Sequence, residues 1–138
     1  MLIQAFPENI MEKIIPEDNE IAISIRDSGR TPIAVLNGGF KAVLYLQFSD
    51  IDNPPKEFIK KYGLTLFSKK HARKILEFVD FYKPNKISIN CMAGISRSVG
   101  VMVALEEIYN KNKDIYTKFP LANKHVYKTI MEVYYESK

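Results

Sequence analysis

Residues 86–110 read KISINCMAGISRSVGVMVALEEIYN. The β-branched run Lys86–Asn90 predicts a short strand that ends directly before Cys91. The loop MAGIS follows, and from Arg97 or Ser98 to about Asn110 the chain reads as a helix. That helix is apolar nearly all round at VGVMVAL, so a central, buried position is expected.

Upstream, Ala72, Ile75, Leu76, Val79 and Tyr82 recur at helical spacing, with Ser68 placed to cap the segment and Pro84 to close it. Lys41–Phe48, KAVLYLQF, is a nearly continuous apolar run, the pattern of a strand covered on both faces. Ile21–Ile25 alternates at period two and reads as another strand. Glu8–Ile15 reads as a small leading helix between Pro7 and Pro16. A last helix is expected from about Lys124 to Glu136, with Asn123 as its cap and Val126, Ile130, Val133 and Tyr134 on one face. Strands alternating with helices in this order predict α/β layering around a mainly parallel sheet. No internal repeat or linker interrupts it.

Composition bounds the rest. With 138 residues, 46% apolar and 26% charged, the chain has the size and make-up of a single domain, 1–138, with room for a continuous core. One cysteine excludes an internal disulfide, and MLIQAFPENI has neither the basic start nor the apolar stretch of a secretion signal, so a reducing cytoplasm is expected. VLYLQF and VGVMVAL fall short of the roughly 18–20 residues of a membrane-spanning helix, and no membrane association is expected. The net charge of +4 comes mostly from lysines strewn over helical segments. Lys60, Lys61, Lys69 and Lys70 form a basic patch in sequence, but no nucleic-acid-binding motif accompanies it, and no nucleic-acid partner is expected.

A turn between a strand end and a helix N-terminus points successive N–H groups inward at the positive end of a helix dipole, where a phosphate fits. Cys91 opens that turn, in a field that favours thiolate over thiol. Arg97 closes it with a planar fork that matches two phosphate oxygens. Taken singly, Cys91 is a small buried hydrophobe, Gly94 a turn residue and Arg97 a surface charge. The only arginines are Arg26, Arg30, Arg73 and Arg97, so one of them six places after the only cysteine, beside Gly94 and Ser98, is a pattern that composition alone rarely yields.

The segment CMAGISRS resembles the signature of the cysteine-dependent protein tyrosine phosphatases: Cys, five residues, Arg, then Ser or Thr, with Ala-Gly inside the loop. Its wording and the chain length are most similar to the compact dual-specificity type. IAISIRDSG, VLYLQFSD, the amphipathic helix and ANKHVY stand in the order that type shows. A loop two thirds along the chain is unlike the low-molecular-weight phosphatases and similar arsenate reductases, where it follows the first strand.

The resemblance implies a three-layer α/β fold with a central, mainly parallel sheet of four to five strands flanked by helices. It implies hydrolysis of phosphotyrosine, and of phosphoserine or phosphothreonine, in a phosphorylated protein or other phosphate monoester, with no metal or cofactor. Cys91 would be the nucleophile. Arg97 and the amides of Met92, Ala93, Gly94, Ile95 and Ser96 would hold the phosphoryl oxygens, and Ser98 would stabilise the thiolate as leaving group. An upstream Asp would act as acid and then base, and the loop after VLYLQF offers Asp50, or Asp52 two residues on. Asn90 stands where the family usually has His. Two other readings are a catalytically weak module that binds phosphorylated partners, and a sulfur or arsenate transfer enzyme using a similar anion loop.

Elsewhere, His71 and His125 fall in first turns of helices, where surface or capping roles account for them. Asn123 is explained by capping, with bracing of the loop as the alternative. Asp27 and Arg30 follow the first strand, where a turn accounts for both and a place at the pocket mouth is the alternative.

Overall fold

β1 (Leu2–Pro7), β2 (Glu20–Arg26), β3 (Ala42–Gln47) and β4 (Lys86–Cys91) pair in the order β1-β4-β2-β3, every pairing parallel. The computed structural model describes residues 1–28, 33–51 and 55–138. The last strand in sequence is therefore central in the sheet. Around it stand α1 (Glu8–Met11), α2 (Lys56–Tyr62), α3 (Lys69–Tyr82), α4 (Arg97–Tyr109) and α5 (Lys124–Glu136), with a 3₁₀ turn at Ile115–Lys118. The architecture is α/β, a four-stranded all-parallel sheet flanked by helices in three layers.

Alternation along the strands sorts the two faces. Ile21, Ile23 and Ile25 of β2 and Ile87, Ile89 and Cys91 of β4 enter one continuous core with Ile75 and Val79 of α3, Val101 and Leu105 of α4, and Ile130 of α5. Ser88 and Asn90 point the other way, to a face where Met11, Ala22 and Ala34 are buried apart from that core. This second face also buries Glu20, whose carboxylate accepts from the Ser88 hydroxyl at 2.6 Å and from the Glu17 amide at 2.8 Å.

The helices form where their signals stand. Asn123 caps α5 by accepting from the Val126 amide at 3.0 Å, and α4 buries ten of its side chains, glycine included, as its all-round apolarity predicts. Ser68 caps α3, accepting from the His71 amide, while the His71 ring accepts from the Ser68 amide at 3.0 Å. The same ring stacks on Phe67 and tilts against Phe48, at centroid distances of 5.4 and 5.6 Å.

Two expectations need correction, those for α1 and β3, and two further elements, β1 and α2, carry no sequence signal. β1 has no strict alternation to announce it; it lies at the sheet's edge, where a terminal proline costs no ladder bond. α1 ends at Met11 instead of Ile15, because after one i−4 bond at Glu12 the amides of Lys13 and Ile14 turn to i−3 carbonyls. β3, expected to be covered on both faces, is the other edge strand, with Tyr45 exposed. α2 buries no side chain, so no core-facing period marks it. Among the described residues, no helix is long and apolar enough to cross a membrane.

Burial, then the charge of nearby Lys74, holds the His71 imidazole below its ordinary value of about 6.5. The unfolded chain therefore takes up this proton first as pH falls. The contribution of neutral His71 is complete above about pH 6.5 and is lost progressively as pH drops toward the folded-state value. Gln at this position keeps a capping-box acceptor but does not titrate. Urea midpoints from neutral to mildly acidic pH are expected to fall more steeply for the natural chain than for His71→Gln. Parallel curves would refute the assignment.

Candidate active site

Parallel pairing brings the carboxyl ends of the strands to one edge of the sheet, the place where open α/β sheets hold ligands. Pro7 ends β1, Asp27 follows β2, Phe48 to Asp50 follow β3, and Cys91 ends β4. Cys91, Asp27 and Asp50 hang from these ends, and Arg97 and Asn123 from the starts of α4 and α5.

Cys91 is buried, and two groups reach its sulfur. The Gly94 amide donates to Sγ at 3.3 Å, and the Ser98 hydroxyl, fully buried in the first turn of α4, lies 3.1 Å away. Between them the chain makes the tight turn 92–96, with the side chains of Met92, Ala93 and Ile95 exposed. Gly94 is required at the crown of this turn. Its φ is +70°, and a Cβ there would stand 2.3 Å from the Pro7 nitrogen and 2.5 Å from the Phe6 carbonyl carbon. The turn thus leans on the end of β1, and the Glu8 amide secures it by donating to the Met92 carbonyl at 3.2 Å.

Arg97 is moored from two sides. Its Nη1 donates to the Asp27 carboxylate at 2.5 Å and to the Phe48 carbonyl at 3.0 Å, linking α4 to the ends of β2 and β3. The side chain is 5% exposed, and its Nε is buried with no partner among the described residues. A guanidinium N–H left so is costly unless an acceptor meets it. Nε lies on an edge of the fork that Nη1 does not occupy, the kind of edge that can receive a tetrahedral anion two-pronged.

Asp50 is exposed, yet it is held: Oδ1 accepts from the Ser96 hydroxyl at 2.7 Å and from Asn123 Nδ2 at 2.9 Å. The Ser96 carbonyl in turn accepts from the amides of Gly100 and Asn123 at 2.9 and 3.0 Å. The loop, the Asp50 segment and the start of α5 are therefore one hydrogen-bonded unit. His125, beside it, donates from Nε2 to the Phe67 carbonyl at 2.7 Å, which fastens α5 to the approach of α3. Two grooves flank the turn. One of about 280 Å³ is lined by Gly94, Ile95, Val99, Phe119 and Leu121, and one of about 310 Å³ by Asp50, Ser96, Leu121, Asn123 and Lys124. A further hollow of about 300 Å³ lies at the other ends of α3, α4 and α5; there Tyr109 donates to Asp80 at 2.7 Å, and burial raises its hydroxyl well above the usual range.

Of the sequence-derived residues, Cys91, Gly94 and Ser98 meet at the sulfur, and Asp50 meets Ser96. Asp52 and Arg30 lie outside the described residues. Asp27, read from sequence as part of a turn, is instead an ion-pair partner of Arg97. The signal that points to it is an acid placed one residue beyond a strand whose neighbour ends in the candidate nucleophile. Asn90 is fully buried, and neither Oδ1 nor Nδ2 has a partner among the described residues. No family model matches the chain, and neither a curated protein nor a solved structure matches it.

Gly94→Ala forces its new methyl onto the backbone of Phe6 and Pro7 in a conformation that strains L-residues. It is expected to lower stability by about 2–4 kcal/mol and to speed alkylation of Cys91 by an uncharged reagent. An unchanged urea midpoint together with unchanged alkylation would show that the turn does not rest on β1.

Proposed function

We propose that this chain is a phosphatase that hydrolyses phosphotyrosine esters in proteins, and phosphoserine or phosphothreonine esters, through a phosphocysteine intermediate. One observation carries the reading: a sulfur that meets an amide and a hydroxyl at the N-terminus of α4, the helix whose first residue, Arg97, keeps a buried Nε with no partner among the described residues. Donors gathered in this way suit an anion whose charge moves during reaction, and they need no reorganisation when it does.

In the first step the Cys91 thiolate attacks phosphorus. The S–P bond forms, the ester P–O bond breaks, and the departing oxygen takes a proton from Asp50. Arg97 and the loop amides hold the three equatorial oxygens meanwhile. In the second step water attacks phosphorus, gives its proton to Asp50, and the S–P bond breaks to release phosphate and restore the thiolate. The Ser98 hydroxyl, 3.1 Å from Sγ, donates to the departing sulfur. A thiol that must stay reduced between turnovers suits a cytoplasmic setting.

The test is hydrolysis of p-nitrophenyl phosphate and of a phosphotyrosine peptide. Turnover is expected in the natural chain and absent in Cys91→Ser. On the phosphotyrosine peptide, Asp50→Asn is expected to lose about 10²-fold or more in rate and the basic limb of the pH–rate profile. Turnover no greater than that of Cys91→Ser would overturn the enzyme reading. Retained binding of the phosphopeptide in that case would support the binding-module alternative, and faster turnover of thiosulfate or arsenate would support group transfer.

A further inference from the structure

Asn123 uses all of its polar groups. Its backbone amide donates to the Ser96 carbonyl at 3.0 Å, and its own carbonyl accepts from the Tyr127 amide at 3.1 Å. In the side chain, Oδ1 caps α5 through the Val126 amide at 3.0 Å, while Nδ2 donates to Asp50 Oδ1 at 2.9 Å. The residue is buried, and α4 comes close beneath it: a Cβ on Gly100 would stand 2.9 Å from the Asn123 carbonyl oxygen.

Capping alone does not require Asn. Ser, Thr or Asp serve nearly as well at an N-cap. What Asn adds is a donor on the same short side chain as the capping acceptor, and here that donor meets a carboxylate. Asp would place a second negative charge against Asp50, and Ser would not reach both partners at once. The identity of residue 123 is therefore set by Asp50 as much as by α5.

Resting on the phosphatase reading above, we infer that Asn123 and Ser96 are positioning residues that fix Asp50 as the proton donor and decide which of its oxygens carries the proton. Both donors converge on Oδ1. That oxygen keeps its lone pairs for them, so the transferable proton belongs on Oδ2. Ser96 immediately precedes Arg97, which ties the acid to the loop itself, and no closure of the Asp50 segment has to follow substrate arrival. In the first step Oδ2–H gives its proton to the leaving oxygen as the P–O bond breaks; in the second, Oδ2 takes one from water as the P–S bond breaks.

A mispositioned acid matters most where the leaving group needs a proton most. The experiment compares Asn123→Ser and Ser96→Ala with the natural chain on p-nitrophenyl phosphate, which has a good leaving group, and phenyl phosphate, which has a poor one. Asn123→Ser keeps a capping hydroxyl for α5, and Ser96→Ala leaves that cap untouched, so each variant checks the other against a folding defect. Each is expected to lose roughly 10- to 100-fold on phenyl phosphate and no more than about threefold on p-nitrophenyl phosphate. Placed on Asp50→Asn, neither should discriminate further between the two substrates. Equal losses on both substrates, no loss on either, or discrimination that persists without the Asp50 carboxyl would overturn the inference while leaving the phosphatase reading in place. Failure of the natural chain to exceed Cys91→Ser would remove both.

Discussion

The structure depends on one strand pairing. β4 enters between β1 and β2, parallel to both, and this puts Cys91 level with Pro7 and Asn90 level with Phe6 and Ser24. Parallel neighbours send all their carboxyl ends the same way, so residues from four separate parts of the sequence arrive at one edge. Gly94 can lean on Pro7, and Arg97 can reach Asp27 and the Phe48 carbonyl, only because β4 lies there. An antiparallel β4 would deliver Cys91 to the opposite edge.

That edge concentrates polar groups in a small buried volume, and they are not all paired. Ser98, Arg97 and Asn123 each have partners, and they join α4, α5 and the strand ends into a single network. Asn90 and Arg97 Nε have none among the described residues, and an unsatisfied buried polar group costs on the order of 1–3 kcal/mol. An apolar residue in place of Asn90 would fit the buried face more cheaply. Under the phosphatase reading the unmet N–H of Arg97 is on the side chain that the phosphoryl group would meet, so binding would return this cost. In sequence, Asn90 stands just before the turn and Arg97 just after it.

Much of this was legible from residues alone. KISIN before a cysteine and VGVMVAL after an arginine mark a strand, a turn and a buried helix, and the helices at 69–82 and 124–136 begin at the caps their Ser and Asn foretell. The parallel sheet followed from the alternation of elements. β1 was not legible, because an edge strand ending in proline has no pattern that separates it from a loop. Nor was the exposure of β3, since an apolar run does not reveal which of its neighbours is missing. Within the site, Cys91, Gly94, Arg97 and Ser98 are adjacent in sequence and could be read together. The Asp27–Arg97 pair and the Asp50–Asn123 bond join residues about 70 positions apart, and only the fold discloses them.

The claim on which the rest turns is that Cys91 forms a covalent bond to phosphorus. Acid quenching of the Asp50→Asn variant within one turnover of an aryl phosphate, followed by peptide mass analysis, reads this directly. The expected result is one phosphoryl group on the peptide containing Cys91, accumulating because its hydrolysis has lost its base. Steady release of phosphate with no labelled peptide, or a label on any other side chain, would contradict the account.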